Sequence, residues 1–145
     1  MIVPWVAHRI GMAPEDFGMC TALGIAIGDE LVCGVVYNEF RTCTYGNSMQ
    51  ATIAQARPGW ATKATLRDMF AYPFVQMGVV RLWVATSRRN KRARRLAERM
   101  GFRMEGVARR GWDGQTDSSV LSMFPEECIW LRGQENGQEV RAEAA

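Results

Sequence analysis

From residue 21 onward apolar and polar positions alternate with a period of two, and that alternation gives way twice to helical spacing. Residues 21–27, a Gly28-Asp29 turn and residues 31–40 predict an antiparallel hairpin. Leu31, Cys33, Val35 and Tyr37 alternate there against Val32, Gly34, Val36 and Asn38. A turn over 44–48 leads to a third strand over 49–55. Residues 55–62 then form a polar turn that opens a helix over 61–77, with Leu66, Met69, Phe70, Pro73, Phe74 and Met77 three and four apart. Gly78 suits a left-handed cap, and residues 79–85 predict a strand with Val80, Leu82 and Val84 on one side. A second helix over 90–100 carries Ala93, Leu96, Ala97 and Met100, and Gly101-Phe102 closes it.

The flanks are less regular. Residues 1–11 predict a short helix with Pro4 in its first turn and Trp5, Val6 and Ile10 on one face, followed by a loop over 12–17. Past the second helix come a strand over 103–109, a polar loop over 111–116, and a last strand region at 120–124 and 128–131 broken by Pro125. Residues 134–145 lack apolar periodicity and read as a polar, flexible tail. Strand, Gly-containing turn, helix, strand, helix is the layout of a phosphate-binding α/β unit, because the turn presents unpaired N–H groups at a helix N-terminus.

Composition narrows the choice. A chain of 145 residues, 48% apolar, suits one domain, here residues 1–132, with a sizeable core. No apolar run approaches the roughly 20 residues of a membrane span, so a soluble cytoplasmic protein is expected. Cys20, Cys33, Cys43 and Cys128 form no CxxC pair and have only His8 to join them, so reduced, mostly buried thiols are expected and no metal site. Net charge is only +3, but Arg88, Arg89, Lys91, Arg92, Arg94, Arg95 and Arg99 concentrate positive potential around the second helix.

Two motifs carry a resemblance. Ala56-Arg57-Pro58-Gly59-Trp60-Ala61 is similar to the Gln/Arg-x-x-Gly-x-Gly/Ala turn of the GNAT superfamily of N-acetyltransferases, with alanine at the first position. Asn90-Lys91-Arg92-Ala93, then Leu96, Gly101-Phe102 and Glu105-Gly106, is similar to that superfamily's second pattern. Over residues 21–131 the chain resembles the branch containing ribosomal-protein N-terminal acetyltransferases and the compact proteins of phage and prophage genomes.

The resemblance implies an α/β (α+β) fold with a mixed, mostly antiparallel twisted sheet flanked by helices. The chain departs from the family in a shortened N-terminal region, one short helix where the family has a strand and two helices, so the acceptor site is expected to be open or completed by a second subunit. It implies acetyl transfer from acetyl-CoA to a primary amine. Ile53 and Gln55 would pair through their backbone with the pantetheine arm. Arg57, Gly59, Trp60, Ala61 and Thr62 would offer N–H groups to the pyrophosphate, and Asn90 and Arg94 would lie near the pantetheine and the phosphates. Family members place a tyrosine where this chain has Ala97, so Ser87, a water or unassisted departure must serve the leaving thiolate. Base candidates are Glu39 and Tyr37, with Glu105 and His8 behind them. Two other readings keep the fold without that chemistry: an acyl-CoA-binding or protein-interaction module, and a nucleic-acid-directed protein using the arginine cluster with Trp60 and Trp83.

Overall fold

A computed structural model describes residues 1–132. The tail expected over 134–145 lies outside the described residues. Six strands form one sheet in the order β1-β2-β3-β4-β6-β5: β1 is Thr21–Ile27, β2 Glu30–Cys43, β3 Gly46–Gln55, β4 Arg81–Ser87, β5 Arg103–Ala108 and β6 Ser118–Met123. Every pairing is antiparallel except that of β3 with β4, so the sheet is mixed and mostly antiparallel.

Helices cover both faces. α1, Ile2–Ile10, buries Val6 and Ala7 against Val36 and Ala54. α2, Lys63–Ala71, buries Leu66, Met69 and Phe70 over the other face, where Cys33, Val35, Tyr37, Met49, Leu82 and Leu121 build the larger core. α3, Lys91–Met100, adds Ala97 and Met100 to that core and keeps its arginines outside. From Cys33 to Asn38, odd positions of β2 therefore face α2 and even positions face α1, as the period-two alternation of a strand covered on both sides dictates, while Val32, skipped in the register between Ile25 and Ala26, joins Cys33 in the larger core.

The structure corrects several sequence boundaries. The helix expected over 61–77 begins at Lys63, because Thr62 caps it: the Thr62 hydroxyl accepts from the Thr65 N–H at 3.2 Å. It also changes pitch at Tyr72–Gln76, a π turn around Pro73, where the Met77 N–H reaches the Tyr72 carbonyl at 3.0 Å. Val80 is 46% exposed and lies outside β4, while Val79 is buried at 1%. A 3-10 turn, Pro14–Phe17, occupies the expected loop. After Met123 the chain forms two 3-10 turns, Pro125–Glu127 and Ile129–Leu131, in place of more strand. Of the four thiols, Cys33 and Cys128 are buried and Cys20 and Cys43 are exposed, so the thiols are free but only half of them are hidden.

Candidate active site

The sheet opens in its middle. β3 and β4 pair only at Ser48, Met49 and Gln50 with Arg81, Leu82 and Trp83, although β3 continues to Gln55 and β4 to Ser87. The Ala56 N–H bonds the Val32 carbonyl at 2.8 Å, so even positions of this part of β3 turn their backbone toward β2. By alternation Ala51, Ile53 and Gln55 turn theirs toward β4, into the opening. On the other side the Arg88 N–H bonds the Asp117 carbonyl at 2.9 Å, so even positions of β4 serve β6 and Ala85 faces the opening. Two unpaired strand edges thus face each other across a cleft of about 290 Å³.

Asn90, Ala93, Leu96 and Ala97 of the α3 region line one end of that cleft, and Arg9 and Ile10 of α1 line it from the other face. The Asn90 side chain is a helix cap, its Oδ1 accepting from the Ala93 N–H at 3.0 Å, which leaves its amide hydrogens as donors. Ala97 stands in the lining with no hydroxyl to offer. Ser87 Oγ accepts from the Arg89 N–H at 3.3 Å, so its own proton remains to donate. Thr86, also in the lining, has a buried hydroxyl without a partner among the described residues.

The turn from β3 to α2 presents backbone. Gly59 has φ 101, a left-handed conformation that favours glycine, and an added Cβ would meet nothing within 4 Å. Among the described residues the N–H groups of Gly59, Trp60, Ala61, Lys63 and Ala64 have no acceptor, and the first two helical N–H groups add the positive end of the α2 dipole. The Thr62 N–H is already used, bonding the Trp60 carbonyl and Thr65 Oγ1, both at 2.9 Å. The indole of Trp60 is 2% exposed and donates to Gln55 Oε1, so this ring supports the turn from inside. Arg57 pairs with Glu30 at 2.9 Å, and Arg94 with Glu98 at 3.5 Å.

The base candidates separate sharply. Tyr37 is 2% exposed and its hydroxyl donates to the Met69 carbonyl at 2.6 Å. Burial first, then Cys33 and Tyr72 nearby, push its phenol far above the ordinary range. It lies on the α2 face, away from the α1 side of the opening, so the expectation of Tyr37 as a base is corrected: it is a core ring. Glu39 sits at a register shift between Asn38 and Arg41, has φ 53, and lines a hollow on the α1 side. Glu105 holds Arg81 through two bonds of 2.9 and 2.8 Å, and His8 lies among Pro4, Trp5 and Arg9, outside both cavities. Sequence reading missed Thr86, Thr52, Ile10, Arg9 and Trp112. The hydroxyl of Thr86 within an apolar strand was the one signal available.

No protein-family profile matches the chain, and no curated protein matches it in sequence. Solved structures do. RimJ of Mycobacterium smegmatis, in complex with CoA-disulfide, superposes with a TM-score of 0.66 at 22% identity, over 92% of this chain and 68% of that one. The chain has the GNAT fold. A spermidine N-acetyltransferase SpeG chimera from Vibrio cholerae and hSSAT matches with a TM-score of 0.61 at 17% identity, over 77% of this chain and 70% of that one. A GNAT-family acetyltransferase from Bacillus anthracis matches with a TM-score of 0.56 at 21% identity, over 73% of this chain and 67% of that one. Across such structures the chain spans from 57% to 70% of their length.

Proposed function

We propose that the chain is an acetyltransferase that moves an acetyl group from acetyl-CoA to a primary amine by direct attack in a ternary complex. The observation that carries this reading is the pair of unpaired edges, Ala51 to Gln55 of β3 and Ala85 of β4, beside a turn whose N–H groups lack acceptors. A pantetheine arm carries amides that need such an edge, and a pyrophosphate needs convergent N–H donors.

In this reading Ile53 and Gln55 pair with the arm, and Gly59, Trp60, Ala61, Lys63 and Ala64 take the pyrophosphate. Thr62 acts through its cap, not its N–H. Asn90 Nδ2 borders the thioester end, and the arginines of α3 are assigned to phosphates, not to nucleic acid. The Ala85 N–H would polarise the thioester carbonyl. The amine lone pair then forms the C–N bond, the C–S bond breaks, and the thiolate leaves with that electron pair. Glu39, directly or through one water, takes the proton that nitrogen loses. In this reading the Ser87 hydroxyl donates to the departing sulfur. Four free thiols suit a reducing cytoplasm. The spermidine of one neighbour belongs to a likeness of 17% identity, which speaks for the fold and not for the acceptor here.

Calorimetric titration with acetyl-CoA, CoA and desulfo-CoA tests the reading. Micromolar binding of all three is expected; no binding at millimolar coenzyme overturns it.

A further inference from the structure

The cleft continues into a second hollow, of about 370 Å³, on the α1 face of the sheet. The two share Ile10, Thr52, Ala85 and Trp112. Because the proposed function places the thioester at Ala85, the hollow is the side from which an acceptor reaches it, and the choice of acceptor rests on that reading.

Its charged lining is acidic. Asp16 of the turn Pro14–Phe17 and Glu39 of the β2 bulge contribute carboxylates, and neither lysine nor arginine is among the described lining residues. One buried bond ties their two carriers together: Asn38 Nδ2 donates to the Phe17 carbonyl at 3.1 Å. That bond fixes the amide and leaves Asn38 Oδ1 without a partner among the described residues, on a side chain only 7% exposed that lines the same hollow. A carbonyl oxygen in this state accepts and cannot donate, so it needs an N–H from elsewhere. Trp83 and Trp112 add aromatic rings to the lining, surfaces that also favour cations. The guanidinium of Arg81 lies 5.8 Å from the Trp83 ring, but Glu105 already holds it.

Carboxylates, an orphaned carbonyl oxygen and indole rings all ask for a cationic N–H donor. A single amine does not satisfy them, because the attacking nitrogen must be neutral and gives its proton to Glu39. Asp16 and Asn38 Oδ1 would then face no charge. We infer that the acceptor is a small aliphatic diamine or polyamine, with one nitrogen delivered to Ala85 and a second, still protonated, held by Asp16 and Asn38 Oδ1. A monoamine or a peptide N-terminus without a neighbouring cation leaves both groups unanswered.

The test pairs amines that differ only in the second charge. Titration of the full-length protein with 1,4-diaminobutane and with 1-aminobutane should give at least tenfold tighter binding of the diamine. Asp16→Asn should shrink that ratio toward one, and so should roughly 1 M salt, which screens a partly exposed pair to within about 3 Å. These titrations contain no coenzyme, so they report on the hollow even if the coenzyme titration fails. With acetyl-CoA present, thiol release should show the same order in kcat/KM. Equal affinity for the two amines, a ratio unmoved by Asp16→Asn, or better turnover of an uncharged-flank peptide N-terminus each overturns the inference.

Discussion

Two left-handed residues mark the two halves of the site, and they are built differently. Gly59 takes φ 101 in the turn before α2, where, apart from its two chain neighbours, nothing lies within 4 Å of its missing Cβ. Glu39 takes φ 53 in the bulge of β2, with a full side chain. Glycine adopts such a backbone without steric penalty, whereas a carboxylate-bearing residue there costs about 1–2 kcal/mol that the surrounding sheet must absorb. The proposed coenzyme half thus works through main chain, and the proposed acceptor half through side chains that a strained backbone aims. Strain kept at a residue that lines a cavity points to a use for that side chain.

Glu39 offers the sharpest way to break the contrast. Glu39→Gln should lower kcat by about 10²–10⁴-fold, the usual worth of a positioned proton acceptor. Its rate should keep climbing with pH as the amine deprotonates unaided, while the parent levels off. An unchanged kcat would strip Glu39 of its role. Glu39→Gly adds a second reading, since relief of the left-handed strain should raise stability by about 1 kcal/mol while activity falls. Denaturant melts of the two variants, run beside the rate assay, separate strain from chemistry.

The main-chain half predicts a binding defect instead. Gly59→Trp places a bulky ring in open space above the free N–H groups and should weaken acetyl-CoA at least tenfold while circular dichroism stays native. Undiminished affinity would remove the turn from the site. Gly59→Ala should cost about 1 kcal/mol of stability through its backbone alone, with a smaller loss of affinity.

How much of the site was legible in the sequence depends on the same division. The turn over 55–62, the apolar stripe of α2 and the cap at Asn90 are local patterns, and local patterns survive in one dimension. Gly59 announced its conformation because few other residues adopt it. The opening between β3 and β4 was not legible from the residues themselves, since both strands mix apolar and polar residues where they pair and where they part. Tyr37 shows the difficulty most plainly. Leu31, Cys33, Val35 and Tyr37 alternate with Val32, Gly34, Val36 and Asn38, so both faces of β2 look like core. Only packing against α1 and α2 decides that Asn38 lines the hollow and that Tyr37 meets Met69. The bulge that turns Glu39 was hidden for a similar reason: no glycine marks it.

Tyr37→Phe sharpens the corrected half of the assignment. Loss of the hydroxyl leaves the Met69 carbonyl without that donor and should cost about 1–2 kcal/mol of stability, read from a shifted denaturation midpoint. kcat should hold, because a core ring touches neither reactant. A large drop in kcat with normal stability would return Tyr37 to the chemistry.

The smallest effect concerns Arg57, the one basic residue of the turn over 55–62, which spends its guanidinium on Glu30 at 2.9 Å. Both side chains are more than half exposed, at 51% and 61%, so solvent screens the pair and Arg57→Ala should cost at most about 1 kcal/mol of stability. Its effect on coenzyme binding discriminates between two arrangements. If Arg57 stays with Glu30 when the coenzyme binds, the variant binds acetyl-CoA within about threefold of the parent. The neighbouring N–H groups then hold the pyrophosphate without it. If Arg57 swings to a phosphate, affinity falls by more than tenfold, and Glu30→Gln, which frees the guanidinium beforehand, raises it. Calorimetry on the two single variants and the double variant decides, because only a shared arginine makes their effects non-additive.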